Sequence, residues 1–174
     1  DAMERNSPSY IMTQNAIQNI LLSIGDIQNR PNRAVVQIYT AIELVLNARL
    51  FEEHWCLMVA KNPDKEKFEA GDFVSVSFEE ACNRLEIVVK DPVPTDAKDA
   101  FDALRKVRNK IVHFYTDDMA GAFQNLSDTR EKLKTAWNHL HGVMDVTWED
   151  HFSMFKDEIK RIESNFIFKP STTV

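Results

Sequence analysis

Arg108, Asn109 and His113 put a permanent cation, an amide and an imidazole within two turns of one helical stretch. The arginine fork matches phosphate oxygens in bidentate fashion. A histidine gives or takes a proton near neutral pH. RNA carries its own nucleophile, the 2′-hydroxyl. Cleaving RNA with it requires three things: removal of the hydroxyl proton, protonation of the departing 5′-oxygen, and relief of charge at phosphorus. An Arg and His pair supplies them without a metal or other cofactor, and DNA should resist. Arg105, Lys106 and Lys110 surround the pair as candidate RNA contacts, and Tyr115, beside His113, is a candidate for base stacking.

The helix that positions these groups is legible in its apolar spacing. Phe101, Leu104, Val107, Ile111 and Phe114 fall in one stripe at 3.6-residue period. Arg105, Asn109 and His113 lie on another face, and Arg108 borders the buried stripe. Arg108 and His113 point about 140° apart on an ideal helix. Three arrangements can still bring both to one phosphate. The helix distorts, the long arginine curls across, or a second copy of the helix completes the site.

The chain has 174 residues, 44% hydrophobic and 28% charged, with 4 Gly and 6 Pro. Helical spacing with few turn residues predicts an all-α bundle of five to seven helices in one domain spanning 1–174, with 1–9 and 169–174 as loose tails. Helices are expected over residues 10–29, 33–60, 77–89 and from 95 or 96 through the motif. A further pattern carries Phe123, Leu126, Leu133, Trp137, Leu140 and Met144, divided at Gly121 or at Ser127 and Asp128. A last helix starts at Thr147 with Phe152, Phe155, Ile159, Ile162 and Phe166 as its stripe. Residues 61–71 read as a charged connection and 72–76 as a short extended arm. Ser77 and Glu80 match a reciprocal capping box.

The net charge of −6 excludes a protein that coats nucleic acid over a broad surface. RNA contact would run through the local excess of Lys98, Arg105, Lys106, Arg108 and Lys110 over Asp99 and Asp102. Glu43 and Asn47 sit one turn apart on a polar flank of the second helix, expected to be solvated or bonded to each other, with Glu43 as a tentative cleft residue. Cys56 and Cys82 read as buried reduced thiols of a cytoplasmic protein. No apolar run approaches the roughly 20 residues of a membrane span, and no secretion signal is evident. His139 and His141 diverge on a helix, and His54 and His151 have only adjacent carboxylates, so no metal site is expected.

The run Arg108, Asn109, Lys110, Ile111, Val112, His113 resembles the signature of the HEPN superfamily: Arg, four to six residues, then His, often with a polar residue after the Arg. The second helix, with residues 41–50 and then Glu53, His54 and Trp55, is similar to the corresponding helix of bacterial members. The resemblance implies a helical bundle that dimerises through the motif helix, residues 96–115. It implies a metal-independent endoribonuclease of toxin–antitoxin or phage-defence type that leaves a 2′,3′-cyclic phosphate. Arg108 and His113 would be the catalytic pair, with Asn109 in support and an antitoxin or regulatory protein as a further partner. Some members of the superfamily are not nucleases, so a non-catalytic RNA- or protein-binding module is the alternative.

Overall fold

The helix that fixes the others is α2 (Pro31–Glu53), preceded by α1 (Pro8–Asp26). The computed structural model describes residues 3–114 and 126–165, and these form an all-α bundle. Both helices open on a proline, where a missing N–H has no intrahelical acceptor to lose. Val35, Ile38, Ile42, Val45, Leu46 and Leu50 are buried, so α2 is apolar around much of its girth and takes neighbours on several sides. By length and composition α2 would also suit a membrane, but most of its apolar stretch is buried inside the bundle.

Along α2, α1 buries Ser9, Thr13, Ala16, Ile17, Ile20 and Ser23. The small side chains let the two backbones approach. Ile11 and Leu21 of the same helix are exposed. The N-terminal stretch is not a loose tail from Met3 onward: Met3 is 2% exposed, with its sulfur 3.6 Å from the Thr13 hydroxyl. The 169–174 tail lies outside the described residues.

Instead of continuing to residue 60, α2 stops at Glu53. His54 turns extended, and its Nδ1 accepts the Cys56 N–H at 3.3 Å, which opens a 3-10 turn over Trp55–Met58. Cys56 is therefore half-exposed, whereas Cys82 is buried as expected. The expected arm at 72–76 reduces to an isolated antiparallel bridge between Val59 and Ser75. A short helix, α3 (Lys65–Glu69), interrupts the charged connection, and Phe68 packs against Phe51, Trp55 and Phe73.

Only half of the expected capping box forms at α4 (Phe78–Arg84). The Ser77 hydroxyl accepts the Glu80 N–H at 3.2 Å, but the Glu80 carboxylate turns forward to Arg84 at 2.8 Å. A π turn over Leu85–Val89 then ends at Lys90 with φ 63°. The Asp91 carboxylate beyond it is held by Arg49, at 2.8 Å from Nη2, while Arg49 Nη1 reaches Glu53 at 2.9 Å. Arg49 is 4% exposed. This buried cation pins the proline turn that launches α5 to the end of α2.

The motif helix, α5 (Thr95–Phe114), starts at Thr95 and lies against α2 and α6 (Leu126–Gly142). Ala97, Phe101 and Leu104 are buried, and Val107 and Ile111 pack on the core at its margin. The helix at Ser127 and Asp128 is continuous, so the expected division is absent there; Gly121 and Phe123 lie outside the described residues. After a π turn over Val143–Thr147 come α7 (Glu149–Phe152), a 3-10 turn over Ser153–Phe155, and α8 (Lys156–Asn165). The expected last helix is thus in two pieces. Its stripe of Phe152, Phe155, Ile159 and Ile162 is buried nonetheless; Phe166 lies outside the described residues.

Candidate functional site

Two positions on α2, one buried and one half-buried, hold the arginine of the motif. Arg108 faces α2, where its guanidinium carbon sits 4.5 Å from the centre of the Tyr39 ring. Its Nη2 is 3.6 Å from Glu43 Oε1. Tyr39 and Glu43 are one turn apart on α2, so one ridge supplies an aromatic plate and a carboxylate. Glu43 is therefore neither simply solvated nor committed to Asn47, as its flank position suggested. Burial raises its carboxyl above the ordinary range, against the pull of the Arg108 charge and a hydrogen bond with Tyr39. Burial, and then the Glu43 charge, push the Tyr39 phenol up to about 12.

His113 is exposed near the C-terminal end of the same helix. Because α5 is α-helical throughout Thr95–Phe114, the angle of about 140° between Arg108 and His113 stands. With its guanidinium carbon 4.5 Å from the Tyr39 ring centre and Nη2 3.6 Å from Glu43, the arginine does not curl toward His113 either. Two of the three arrangements open to the sequence are thus not adopted in this conformation. Asn109 is half-buried, between the two directions.

The basic residues around the pair are largely neutralised. Arg105 Nη2 meets Asp102 at 2.7 Å and lies 3.7 Å from Glu79, and Lys106 Nζ meets Asp102 at 2.9 Å. Those two hydrogen bonds hold Asp102 below the usual carboxylate range, Lys106 first and burial opposing. The expected basic excess is therefore much smaller than the residue count implied. Lys110 has no ion pair among the described residues. Tyr115 lies outside the described residues.

Between α5 and α6 runs a groove of about 430 Å³, lined by Asp99, Asp102, Ala103, Lys106, Val107, Lys110 and Lys132. Lys106, Lys110 and His113 follow one another at i, i+4 and i+7, which places them along one ridge of α5. Arg108 projects from nearly the opposite side. The motif is thus split between two surfaces: an arginine set against α2, and a histidine at the end of a lysine-bearing ridge.

The other histidines do not assemble a ligand set. His141 Nε2 lies 3.3 Å from Glu163 and 4.0 Å from Asp145, and His54 Nδ1 lies 2.9 Å from the Cys56 sulfur. Among the described residues no three His, Cys, Asp or Glu side chains cluster as metal ligands do.

Sequence reasoning missed Tyr39 and Lys132. A tyrosine on an apolar stripe reads as core, although its spacing of four from Glu43 was a usable signal. Lys132 enters only through the way α6 packs on α5. No family model, curated protein or solved structure matches the chain. The family resemblance therefore rests on residues 108–113 and the pattern of the helices.

Proposed function

We propose that the protein is a cytoplasmic, metal-independent endoribonuclease of HEPN type, acting as a two-fold dimer through α5. The observation that carries this reading is the splitting of the motif. Arg108 and His113 leave one unbroken helix about 140° apart, so a second copy is the economical way to bring them to one phosphate. In that cleft Arg108 of one protomer grips the scissile phosphate and neutralises charge at phosphorus. His113 of the other handles the proton of the 2′-hydroxyl or of the departing 5′-oxygen. Asn109, half-buried on α5, supports or orients the pair. The products would be a 2′,3′-cyclic phosphate and a 5′-hydroxyl. A toxin or phage-defence role, with an antitoxin or regulator to restrain it, follows from the family resemblance.

The test is cleavage of RNA by purified protein in EDTA. Wild type is expected to cut RNA and spare DNA of the same sequence, and His113→Ala to lose activity at unchanged melting temperature. If His113→Ala cuts as fast as wild type, the assignment fails.

The contact of Arg108 with Tyr39 and Glu43 favours a second reading, in which Arg108 ties α5 to α2 and the protein is a non-catalytic HEPN-like RNA- or protein-binding module. RNA binding that weakens with salt and yields no product would select it. A lack of RNA affinity at low salt would leave its protein-binding form.

A further inference from the structure

We infer that the groove between α5 and α6 is a subsite for one nucleotide unit, a phosphate ester bearing a base. The inference rests on the RNA reading of α5 and adds the place where the strand beside the scissile phosphate is held. Three lysines from two helices line the groove: Lys106 and Lys110 from α5, and Lys132 from α6. Ala103 and Val107 give it an apolar floor, and Asp99 and Asp102 lie on the same lining. A volume of about 430 Å³ is within the range of small-ligand clefts.

Each part of a nucleotide finds its complement. The phosphate meets Lys110 first, since that ammonium makes no ion pair among the described residues. Lys106 and Lys132 are engaged with Asp102 at 2.9 Å and Asp128 at 2.8 Å. Both are partly exposed pairs along one helix, which contribute little and exchange readily for a phosphate. The base lies on Ala103 and Val107, and the carboxylate of Asp99 accepts from an exocyclic amine. The near balance of charge in the groove disfavours a bare anion and favours a ligand with both an anionic end and donor groups.

Position links the groove to the chemistry. His113 follows Lys110 by three residues on the same ridge, a rise of about 4.5 Å. A strand seated by Lys106, Lys110 and Lys132 therefore runs on to the imidazole. The arginine that completes the cleft comes from the partner protomer.

The probes are the four nucleoside 5′-monophosphates, with adenosine and inorganic phosphate as part-ligands, followed by amide chemical shifts of the full chain. Shifts are expected at residues 103–110 and 132, larger for the monophosphates than for either part-ligand. Binding should weaken by about tenfold or more in Lys110→Glu/Lys132→Glu, since each lysine gives a charge-assisted contact. In RNA cleavage, Lys132→Glu should raise KM about tenfold with kcat retained, because the groove binds without touching the reacting atoms. Monophosphate binding with an unmoved KM would assign the groove to a free nucleotide rather than the strand. Shifts that map elsewhere, that survive the double charge reversal, or that inorganic phosphate alone reproduces would overturn the subsite. A wild-type protein that binds monophosphates here but cuts no RNA would sink the nuclease reading and leave the subsite standing.

Discussion

Mixing two inactive variants should restore activity, and the amount is fixed by geometry. The Cα atoms of Arg108 and His113 lie about 7.5 Å apart along the axis of α5, and their side chains leave it about 140° apart. If each cleft of a two-fold dimer takes Arg108 from one protomer and His113 from the other, then Arg108→Ala and His113→Ala damage different halves of it. Equal amounts, allowed to exchange subunits, give dimers of which about half are mixed. Each mixed dimer has one doubly damaged cleft and one intact cleft, so about a quarter of wild-type activity returns. The parents alone should fall by roughly 10²-fold or more, as for loss of a proton-transfer group in one and of a charge-stabilising group in the other, so the recovery stands well above them. The fold should tolerate both changes. The ion pair of Arg108 is 26% and 42% exposed on its two sides and is worth about 1 kcal/mol at most. The stacking on Tyr39 adds about 0.5–2 kcal/mol. Together they are a fraction of the roughly 5–15 kcal/mol that holds a domain of this kind. The assay is RNA cleavage by the co-refolded mixture of the two variants carrying different tags, and by the mixed dimer isolated through both tags, for which about half of wild-type activity is expected. A verified mixed dimer no more active than its parents would refute the shared cleft.

Two further outcomes concern titration of groups near α2. Tyr39 is raised to about 12 by burial, so the stability its neutral phenol contributes is whole below its ordinary 10.0 and is lost as pH rises toward 12. Tyr39→Phe should flatten the fall of melting temperature over that window, a difference of up to about 3 kcal/mol, and an unchanged fall would contradict it. His151 is lowered from 6.5, first by burial and then by the Arg49 charge, so its contribution is present above 6.5 and lost as pH falls through the lowered value. His151→Gln should therefore lose less melting temperature than wild type between about pH 7 and pH 5; an equal loss in both would remove His151 as the cause.

The apolar face of α5 was readable because Phe101, Leu104, Val107 and Ile111 repeat at the helical period, and burial follows that period. The divergence of Arg108 from His113 was readable for the same reason. The end of α2 was not. Residues 53–60 contain neither proline nor glycine, and Leu57 and Met58 extend the apolar pattern. What stops the helix is the His54 ring accepting the Cys56 N–H, a competition between side chain and backbone that periodicity does not register. The neutralisation of the basic patch was readable in principle. Asp102 stands three and four residues before Arg105 and Lys106, the spacing at which helix side chains pair. Counting charges hid it; pairing them by helical spacing would have found it. The partners of Arg108 depended on how α2 and α5 cross, which no local pattern encodes.

The surroundings of Arg108 bear on how one side chain can serve both fold and chemistry. Tyr39 holds the guanidinium carbon 4.5 Å from its ring centre, and the edge of the fork carries the N–H groups that bind oxygen. Glu43 meets that edge at 3.6 Å, too long for a good hydrogen bond, from a side chain that is 42% exposed. Burial also raises the Glu43 carboxyl, so its negative charge is itself held at some cost. A phosphate arriving at the edge would replace a loose carboxylate contact with charge-assisted bonds and leave the aromatic contact in place. Tyr39 and Glu43 thus hold the guanidinium against α2, and on the proposed reading an anion with better geometry would displace Glu43. A lysine at position 108 would have neither a face to stack nor a fork to present. That is why the arrangement around α2 suits an arginine, which can brace the bundle and, on the proposed nuclease reading, still present N–H groups to a phosphate.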